Sequence, residues 1–239
     1  MTTDAATIAA VAVLSDDLRR RMYAFIRKAG HPVTRDEAAA SVGISRKLAA
    51  FHLDKLVAAG LLNADYANLT GLRRVGRVPK VYEPAAVDVQ LSIPQREHGL
   101  LADILLEAVL TAGPQQDSRQ AAFGAASEHG RRLGQAERAL ARGRLGAERA
   151  LTLAARVLER HGFEPVRQSA TSIRLCNCPF QPYAAASPDL VCGINHAFLA
   201  GFLDGLGAAT VRASLLPRPG ACCVELGAVT AQPPALGGS

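Results

Sequence analysis

Apolar residues recur every three or four positions over most of the chain, and every second position over a few short stretches. The first spacing is typical of helices with one buried face, and the second is typical of half-buried strands. Helices are predicted over 5–14, 15–28, 34–42, 45–59, 95–113, 117–142, 146–161 and 188–206. Strands are predicted over 61–66, 79–83, 163–168, 172–178, 209–215 and 222–226. The pattern therefore predicts a mainly α fold with small sheets.

One stretch carries the signals of two helices joined by a sharp turn. Thr34 and Glu37 have the spacing of a capping box, which begins a short helix. Gly43 permits a sharp turn, and Ser45 is a good N-cap for a second helix that runs to about Ala59. This order of caps and turn predicts a helix-turn-helix.

The second of these helices has two different faces. Helical spacing places four side chains toward the core, namely Leu48, His52, Leu53 and Leu56. The opposite face carries Arg46, Lys47, Ala50, Phe51 and Asp54. Two predicted strands follow, and between them residues 67–78 form a basic tip punctuated by glycine. Strand, basic tip and strand together predict a wing.

These elements resemble the winged helix-turn-helix regulators of the ArsR/DeoR type. The resemblance covers about residues 12–85 and rests on TRDEAAASVGISRKLAAFHLDKLVAAGLL for the helices and GLRRVGRVPKVYEP for the wing. It implies that the second helix enters the major groove of double-stranded DNA, and that a homodimer binds a pseudo-palindromic operator. The helices at 5–14 and 95–142 are the expected dimer surface. The expected DNA-binding residues are Thr34, Ser45, Arg46, Lys47, Ala50, Phe51, Arg73, Arg74, Arg77 and Lys80.

The charge of the chain is compatible with a nucleic-acid partner. Lys and Arg number 27 against 21 Asp and Glu, which gives a net charge of +6. No apolar run reaches the roughly 18 residues that span a bilayer. The run AATIAAVAVL follows Asp4 rather than basic residues, which is not typical of a signal peptide. We therefore expect a cytoplasmic protein with no membrane partner.

Three of the five cysteines fall within residues 174–193, in the stretch RLCNCPFQPYAAASPDLVCG. In a reducing cytosol, such clustering favours metal, cluster or redox chemistry over structural disulfides. Cys176 and Cys178 are two apart at a predicted strand end, so we expect them to point to the same side. Cys192 lies in the second turn of a predicted helix that Ser187 caps.

The remaining two cysteines are adjacent. Cys222 and Cys223 open the last predicted strand. Neighbouring strand residues point to opposite faces, so at most one of this pair is expected to join a common site. Three separate elements thus supply thiols that could converge at one end of a small sheet.

The C-terminal third resembles the SufR-like regulators, whose sensor domains bind an iron–sulfur cluster through cysteines. The resemblance rests on N-C-P at 177–179, a cysteine near a helix start at 192, and the stretch PRPGACCVEL. It implies Cys178, Cys192 and Cys222 as ligands. The family has a further cysteine near the end of the intervening helix, where this chain has DGLG at 204–207.

The fourth ligand is therefore open. The candidates are Cys176, Cys223, His196 and Asp204. A zinc site is chemically reasonable as well, with the ligands Cys178, Cys192, His196 and Cys222. If no cofactor binds, the thiols would act as small buried hydrophobic groups.

These observations predict three segments. They are a winged helix-turn-helix DNA-binding domain over 1–90, linker and dimerisation helices over 91–145, and a small α/β sensor domain over 146–239. The predicted function is a transcriptional regulator, a repressor, whose cysteine-containing domain senses redox state, an iron–sulfur cluster or a metal. One alternative is a regulator that binds an organic effector in the C-terminal domain. A thiol enzyme using a low-pKa Cys192 is a third reading, but we expect no enzyme.

Overall fold

The computed structural model describes residues 5–66, 79–113, 115–218 and 220–229. The chain divides into two compact units, Met1–Leu91 and Ser92–Ser239. Helices dominate both units, and each unit contains one small antiparallel sheet. This confirms the prediction of a mainly helical fold with small sheets. The helices predicted within 91–145 cluster with the C-terminal elements in the second unit.

The first unit combines short helices with a three-stranded sheet. Its described helices are α1 (Ala5–Val13), α2 (Asp17–Ala29), α3 (Arg35–Val42) and α4 (Arg46–Ala58). Its described strands are β1 (Val33–Thr34), β2 (Leu62–Tyr66) and β3 (Lys80–Pro84). The strand order is β1-β3-β2, and both pairings are antiparallel.

Side-chain caps and left-handed residues determine where these helices begin and end. The Asp16 side chain accepts the backbone N–H of Arg19 at 3.0 Å and begins α2. Thr34 and Glu37 form the complete capping box at the start of α3. Gly43 follows α3 with a φ of 72°, a conformation that favours glycine and turns the chain toward α4.

The core of the first unit lies between α2, α3, α4 and the sheet. Its fully buried residues include Met22, Ile26, Val33, Leu53, Leu56, Leu62 and Tyr82. The prediction that Leu48 faces the core is wrong, because 41% of its surface is exposed. Ala49 is buried instead, because the buried face of α4 runs through Ala49, His52, Leu53 and Leu56 at helical spacing.

The second unit packs five helices with a four-stranded sheet in its described part. The helices are α5 (His98–Thr111), α6 (Ser118–Leu140), α7 (Ala147–Arg160), α8 (Tyr183–Ala186) and α9 (Pro188–Gly205). The strands are β4 (Pro165–Ser169), β5 (Ser172–Leu175), β6 (Val211–Leu215) and β7 (Val224–Ala228). The order is β4-β5-β7-β6, with antiparallel neighbours.

Within this unit α6 and α9 pack with main chain directly against main chain. A Cβ atom added at Gly130 of α6 would lie 1.9 Å from the backbone oxygen of Phe198. A Cβ atom added at Gly201 of α9 would lie 2.1 Å from the backbone oxygen of Ser127. Real Cβ atoms do not approach so closely, so glycine is required at both positions. The contact holds α9 firmly, and α9 carries part of the cysteine site.

Candidate functional site

The N-terminal half of α4 presents polar and basic side chains to solvent. The hydroxyl of Ser45 accepts the backbone N–H of Leu48 at 3.3 Å, so this side chain acts as the N-cap. Arg46 and Lys47 are exposed, and Arg46 lies 3.2 Å from a carboxylate oxygen of Asp36. That ion pair is open to solvent and therefore weak, which leaves the guanidinium able to exchange its partner for another anion.

The other predicted DNA-binding residues of α4 lie one turn further along. Ala50 is half-buried, and Phe51 is 54% exposed. The ammonium nitrogen of Lys55 lies 5.6 Å from the centre of the Phe51 ring. An exposed aromatic ring beside a basic residue offers both an apolar surface and positive charge.

The structure gives two further predicted DNA-binding residues partners within the protein. Thr34 Oγ1 accepts the backbone N–H of Glu37 and donates to its carboxylate at 2.7 Å. Lys80 Nζ lies 3.4 Å from Asp54 Oδ1, which links β3 to α4. The remaining predicted wing residues lie outside the described residues, namely Arg73, Arg74 and Arg77.

His52 lies on the opposite side of α4, as predicted. The ring is buried, and its Nδ1 lies 4.0 Å from Asp16 Oδ1. The ring also meets Phe51 edge to face, with 5.4 Å between centroids. His52 therefore packs α4 against the start of α2 and does not face the exposed surface.

The cysteines of the second unit do not all lie where the spacing predicts. β5 ends at Leu175, so Cys176 and Cys178 follow the strand instead of lying on it. Cys176 is exposed, and Cys178 is buried. The prediction that the two point to the same side is therefore wrong, because alternation along a strand does not extend into the turn that follows it.

The positions of Cys222 and Cys223 contradict a second expectation. β7 begins at Val224, so Cys222 and Cys223 precede the strand, and both are buried. Asn195 Nδ2 of α9 lies 3.0 Å from Cys222 Sγ and 3.9 Å from Cys223 Sγ. Both thiols therefore belong to one site, since the residues before the strand need not alternate.

Four cysteine side chains interact as neighbours and are called the thiol row. Cys178 neighbours Cys222, Cys222 neighbours Cys223, and Cys223 neighbours Cys192. The row joins the turn after β5, the residues before β7 and the second turn of α9. Cys223 is thus the thiol that joins the three cysteines expected as ligands.

These contacts divide the thiols into two classes. The pKa of Cys223 is lowered to about 6, chiefly by the hydrogen bond from Cys222, and contacts with Cys192 and Asn195 contribute in the same direction. The hydrogen bond from Cys222 also lowers the pKa of Cys178, with help from the Phe180 backbone and the Arg96 charge.

The other two thiols remain protonated. Burial raises the pKa of Cys192 to about 12, and the neighbouring Cys223 acts in the same direction. Hydrogen bonds to Cys178 and Cys223 raise the pKa of Cys222. The low pKa of Cys192 that the thiol-enzyme alternative requires is therefore contradicted, because burial of this thiol disfavours its thiolate.

The donor chemistry of the row fits a thiophilic metal or an iron–sulfur cluster. Iron–sulfur clusters take four cysteine thiolates, and structural zinc takes four sulfur or nitrogen ligands. Within the described residues, no three His, Cys, Asp or Glu side chains are yet grouped to hold a metal ion. A bound ion therefore requires the row of thiols to close around it. Asn195 fits such a site, because a buried amide N–H stabilises neighbouring thiolates.

The two other candidate fourth ligands have different partners. His196 Nε2 lies 3.3 Å from the backbone oxygen of Ala213, and Asp204 accepts a hydrogen bond from Arg131 at 3.1 Å. Both residues line a cavity of about 510 Å³ between α9 and β6. The cavity wall also includes Ala200, Leu203, Val211 and Arg212.

Two residues near the thiols were missed from the sequence. Asn195 is completely buried, and its Oδ1 has no hydrogen-bond partner among the described residues. Its position three residues after Cys192, on the same helix face, is a signal that could have identified it. Arg96 lies 82 residues before Cys178, and no local pattern indicates that they meet.

Comparison with models of known protein families finds no matching family, and comparison with curated proteins finds no matching relative. Among the described residues, no helix is both long enough and apolar enough to cross a membrane. The assignment of function therefore depends on the geometry of α4 and of the thiol row.

Proposed function

We propose that the protein is a transcriptional regulator that binds double-stranded DNA through a winged helix-turn-helix in the first unit. The observation that carries this proposal is the exposed, basic N-terminal half of α4. It follows a sharp turn after α3 and precedes an antiparallel strand pair. In this arrangement a second helix presents its first turns to base edges in the major groove.

Each group on α4 has a distinct part in this proposal. Arg46 and Lys47 are the base- and phosphate-contacting cations, and Arg46 exchanges Asp36 for DNA. Ser45 orients the helix start and offers a hydroxyl to a phosphate. Phe51 offers an apolar contact to a thymine methyl group, and Ala50 leaves room for the duplex to approach.

A homodimer is part of the same proposal. The face of α5 exposes four large apolar side chains, namely Leu105, Leu106, Val109 and Leu110. Val109 and Leu110 are 76% and 75% exposed, which is unusual for neighbouring apolar residues of a helix. Exposed apolar residues also occur on α1, at Ile8 and Val11. Burial of these faces against a second copy would pair two α4 helices on a pseudo-palindromic operator, where binding represses transcription.

The DNA part is tested with duplexes selected from a random pool by the protein itself. Arg46→Ala with Lys47→Ala should reduce affinity by about 2–6 kcal/mol, because each base contact contributes about 1–3 kcal/mol. The matched control is Arg27→Ala with Lys28→Ala, an exposed Arg-Lys pair at the end of α2. Equal affinities of the two double variants would overturn the proposal.

We further propose that the thiol row binds an iron–sulfur cluster or a metal, and that this state is the signal. The observation that carries this part is the convergence of four cysteines and a buried amide N–H from three elements. Cys178, Cys192, Cys222 and Cys223 would hold the group. A cluster would make the site sensitive to redox state, and zinc would hold the three elements together.

The cofactor part is tested by anaerobic purification, followed by a visible spectrum and analysis of iron, sulfide and zinc. Cys178→Ser, Cys222→Ser and Cys223→Ser should each lose the bound group. Cys176→Ser is the matched control, because that thiol is exposed and outside the row. A colourless, metal-free protein would remove this part and leave the DNA part standing.

The cavity between α9 and β6 supports a second candidate signal, an organic effector. Its wall combines apolar side chains with the charged groups of Arg212 and Asp204, which suits a small organic molecule with polar groups. A thermal-shift screen of metabolites on metal-free protein tests this candidate. Ala209→Trp should fill the cavity and abolish any shift, whereas Ala170→Trp, in an exposed loop, should not.

A further inference from the structure

The loop that carries Cys178 is tied to the start of the second unit by several hydrogen bonds. Arg96 Nη1 donates to Asn177 Oδ1 at 2.6 Å and to the backbone oxygen of Cys178 at 3.0 Å. The backbone N–H of Glu97 donates to the oxygen of Pro179 at 3.0 Å. Residues 95–98 therefore hold the loop through hydrogen bonds from both side chains and the main chain.

Further hydrogen bonds join the same two segments on either side of Arg96 and Glu97. Asn177 is buried, and its Nδ2 donates to the backbone oxygens of Gln95 and Gly162. His98 Nε2 lies 2.6 Å from the backbone oxygen of Gln181. Consecutive residues of one short segment thus meet consecutive residues of the cysteine loop.

The position of this segment in the chain gives the contact its significance. The first unit ends at Leu91, and α5 begins at His98. Residues 95–97 lie in the short connection between the two, and His98 is the first residue of α5. The chain that leaves the first unit is therefore bonded to the Cys178 loop at once.

We propose that residues 95–98 are a coupling segment, which transmits the arrangement of the Cys178 loop to the connection between the two units. The inference deepens the proposed function and rests on it for its biological role. A change at Cys178 would move the oxygens of Cys178, Pro179 and Gln181. Residues 95–98, which these oxygens hold, would then move or loosen, and the position of the first turn of α5 would change.

The coupling is tested first by hydrogen–deuterium exchange on the full-length, metal-free chain. Arg96→Ala should speed exchange of the peptide covering 97–101 by about tenfold or more, because it removes two charge-assisted hydrogen bonds. The matched control is Arg167→Ala, whose guanidinium also donates to backbone oxygens but does not contact the loop. Exchange at 97–101 within twofold of the wild type would overturn the inference.

A second experiment tests whether a change at Cys178 reaches residues 97–101. Cys178→Ala should change exchange at both 177–181 and 97–101, and its effect at 97–101 should be at least halved in the Arg96→Ala background. A response confined to 177–181 would overturn the inference. If Arg96→Ala does not fold, His98→Ala decides, because His98 is exposed and its loss should still speed exchange at 97–101 by about threefold.

A final experiment distinguishes a failure of this inference from a failure of the proposed function. The ratio of affinities for a selected duplex is measured between protein with Zn²⁺ added and metal-free protein. Arg96→Ala should reduce that ratio by about fivefold or more. If Zn²⁺ does not bind, the zinc role fails, but the exchange experiments still decide the coupling. If Zn²⁺ binds and alters DNA affinity equally in Arg96→Ala, the coupling fails alone.

Discussion

α4 and α9 each carry a proposed site, but the two helices present their side chains in opposite ways. On α4 the residues proposed to meet DNA are exposed, and the core of the unit depends on the other face. On α9 the residues of the thiol site lie in the core, and Asn195 is completely buried. A substitution on the exposed face of α4 can therefore change binding without changing stability. A substitution in the thiol site on α9 is expected to change both.

The difference reflects what each site is proposed to bind. DNA is a large partner that meets an exposed surface, and its affinity comes from many contacts that water can replace. A metal or cluster is small and needs thiolates screened from water, with every neighbouring polar group satisfied. Substitutions on the exposed face of α4 should thus alter binding alone, whereas those near the thiol row should alter both binding and stability.

The largest expected effect lies at the contact between α6 and α9. Gly130→Ala should reduce the free energy of unfolding by more than about 4 kcal/mol, because the new methyl group meets the main chain of α9. Urea unfolding of the second unit measures the change.

The control for this substitution lies on the same helix. A Cβ atom at Gly124 meets nothing within 4 Å, so Gly124→Ala should stabilise by about 0.5–1 kcal/mol. Equal stability of Gly130→Ala and the wild type would show that the main-chain contact does not form.

The next effect contrasts two neighbours on α4. Leu53→Ala should cost about 2–5 kcal/mol of unfolding free energy, because Leu53 is fully buried. Phe51→Ala should change stability by no more than about 0.5 kcal/mol and weaken binding to the selected duplexes. Thermal unfolding and DNA titration of both variants measure the contrast. Equal losses of stability would mean that Phe51 is a core residue.

A smaller effect is expected at Thr34, where one hydroxyl serves a cap and a proposed DNA contact. Thr34→Ala should cost about 0.5–2 kcal/mol of stability, since the Glu37 N–H loses its acceptor. Thr34→Ser keeps the hydroxyl and should retain both the cap and DNA affinity. If Thr34→Ala binds DNA as well as Thr34→Ser does, the role of Thr34 is capping alone.

The smallest effect concerns the pH dependence of the metal-free protein. The pKa of Cys223 is lowered to about 6 in the folded state, below the ordinary value of about 9. Its thiolate therefore stabilises the fold fully above pH 9, and this stabilisation is lost as the pH falls through 6. Cys192 has the opposite shift, to about 12, so its contribution is lost as the pH rises from 9 to 12.

Urea unfolding between pH 6 and pH 8 measures this effect. Stability should rise with pH in the wild type and rise less in Cys223→Ser. Cys176→Ser serves as the control and should follow the wild type. An unchanged slope in Cys223→Ser would contradict the lowered pKa.

The sequence predicted those features that depend on neighbours along the chain. The cap at Ser45, the capping box of Thr34 and Glu37, and the turn at Gly43 appear where local chemistry places them. Each depends on contacts within a few residues, so the pattern contains nearly all of the required information.

The sequence failed where distant elements decide the outcome. Cys176 and Cys178 diverge because the strand ends early, and Cys223 enters the site because the chain before β7 does not alternate. Leu48 is exposed because the face of α4 that the rest of the unit covers includes Ala49 instead. The partnership of Arg96 with the Cys178 loop spans more than 80 residues, and no spacing rule reaches that far.

The contact between α6 and α9 has a consequence for synthesis of the chain. Arg131 of α6 and Asp204 of α9 are partners separated by 73 residues, so α6 leaves the ribosome long before its partner exists. The residues of α6 that become fully buried are alanine and glycine, including Ala122, Ala126 and Gly130. Phe123 adds one aromatic ring that meets α9 at Gly193. Until α9 is made, these small residues expose little apolar area to other nascent chains, so they attract few wrong partners.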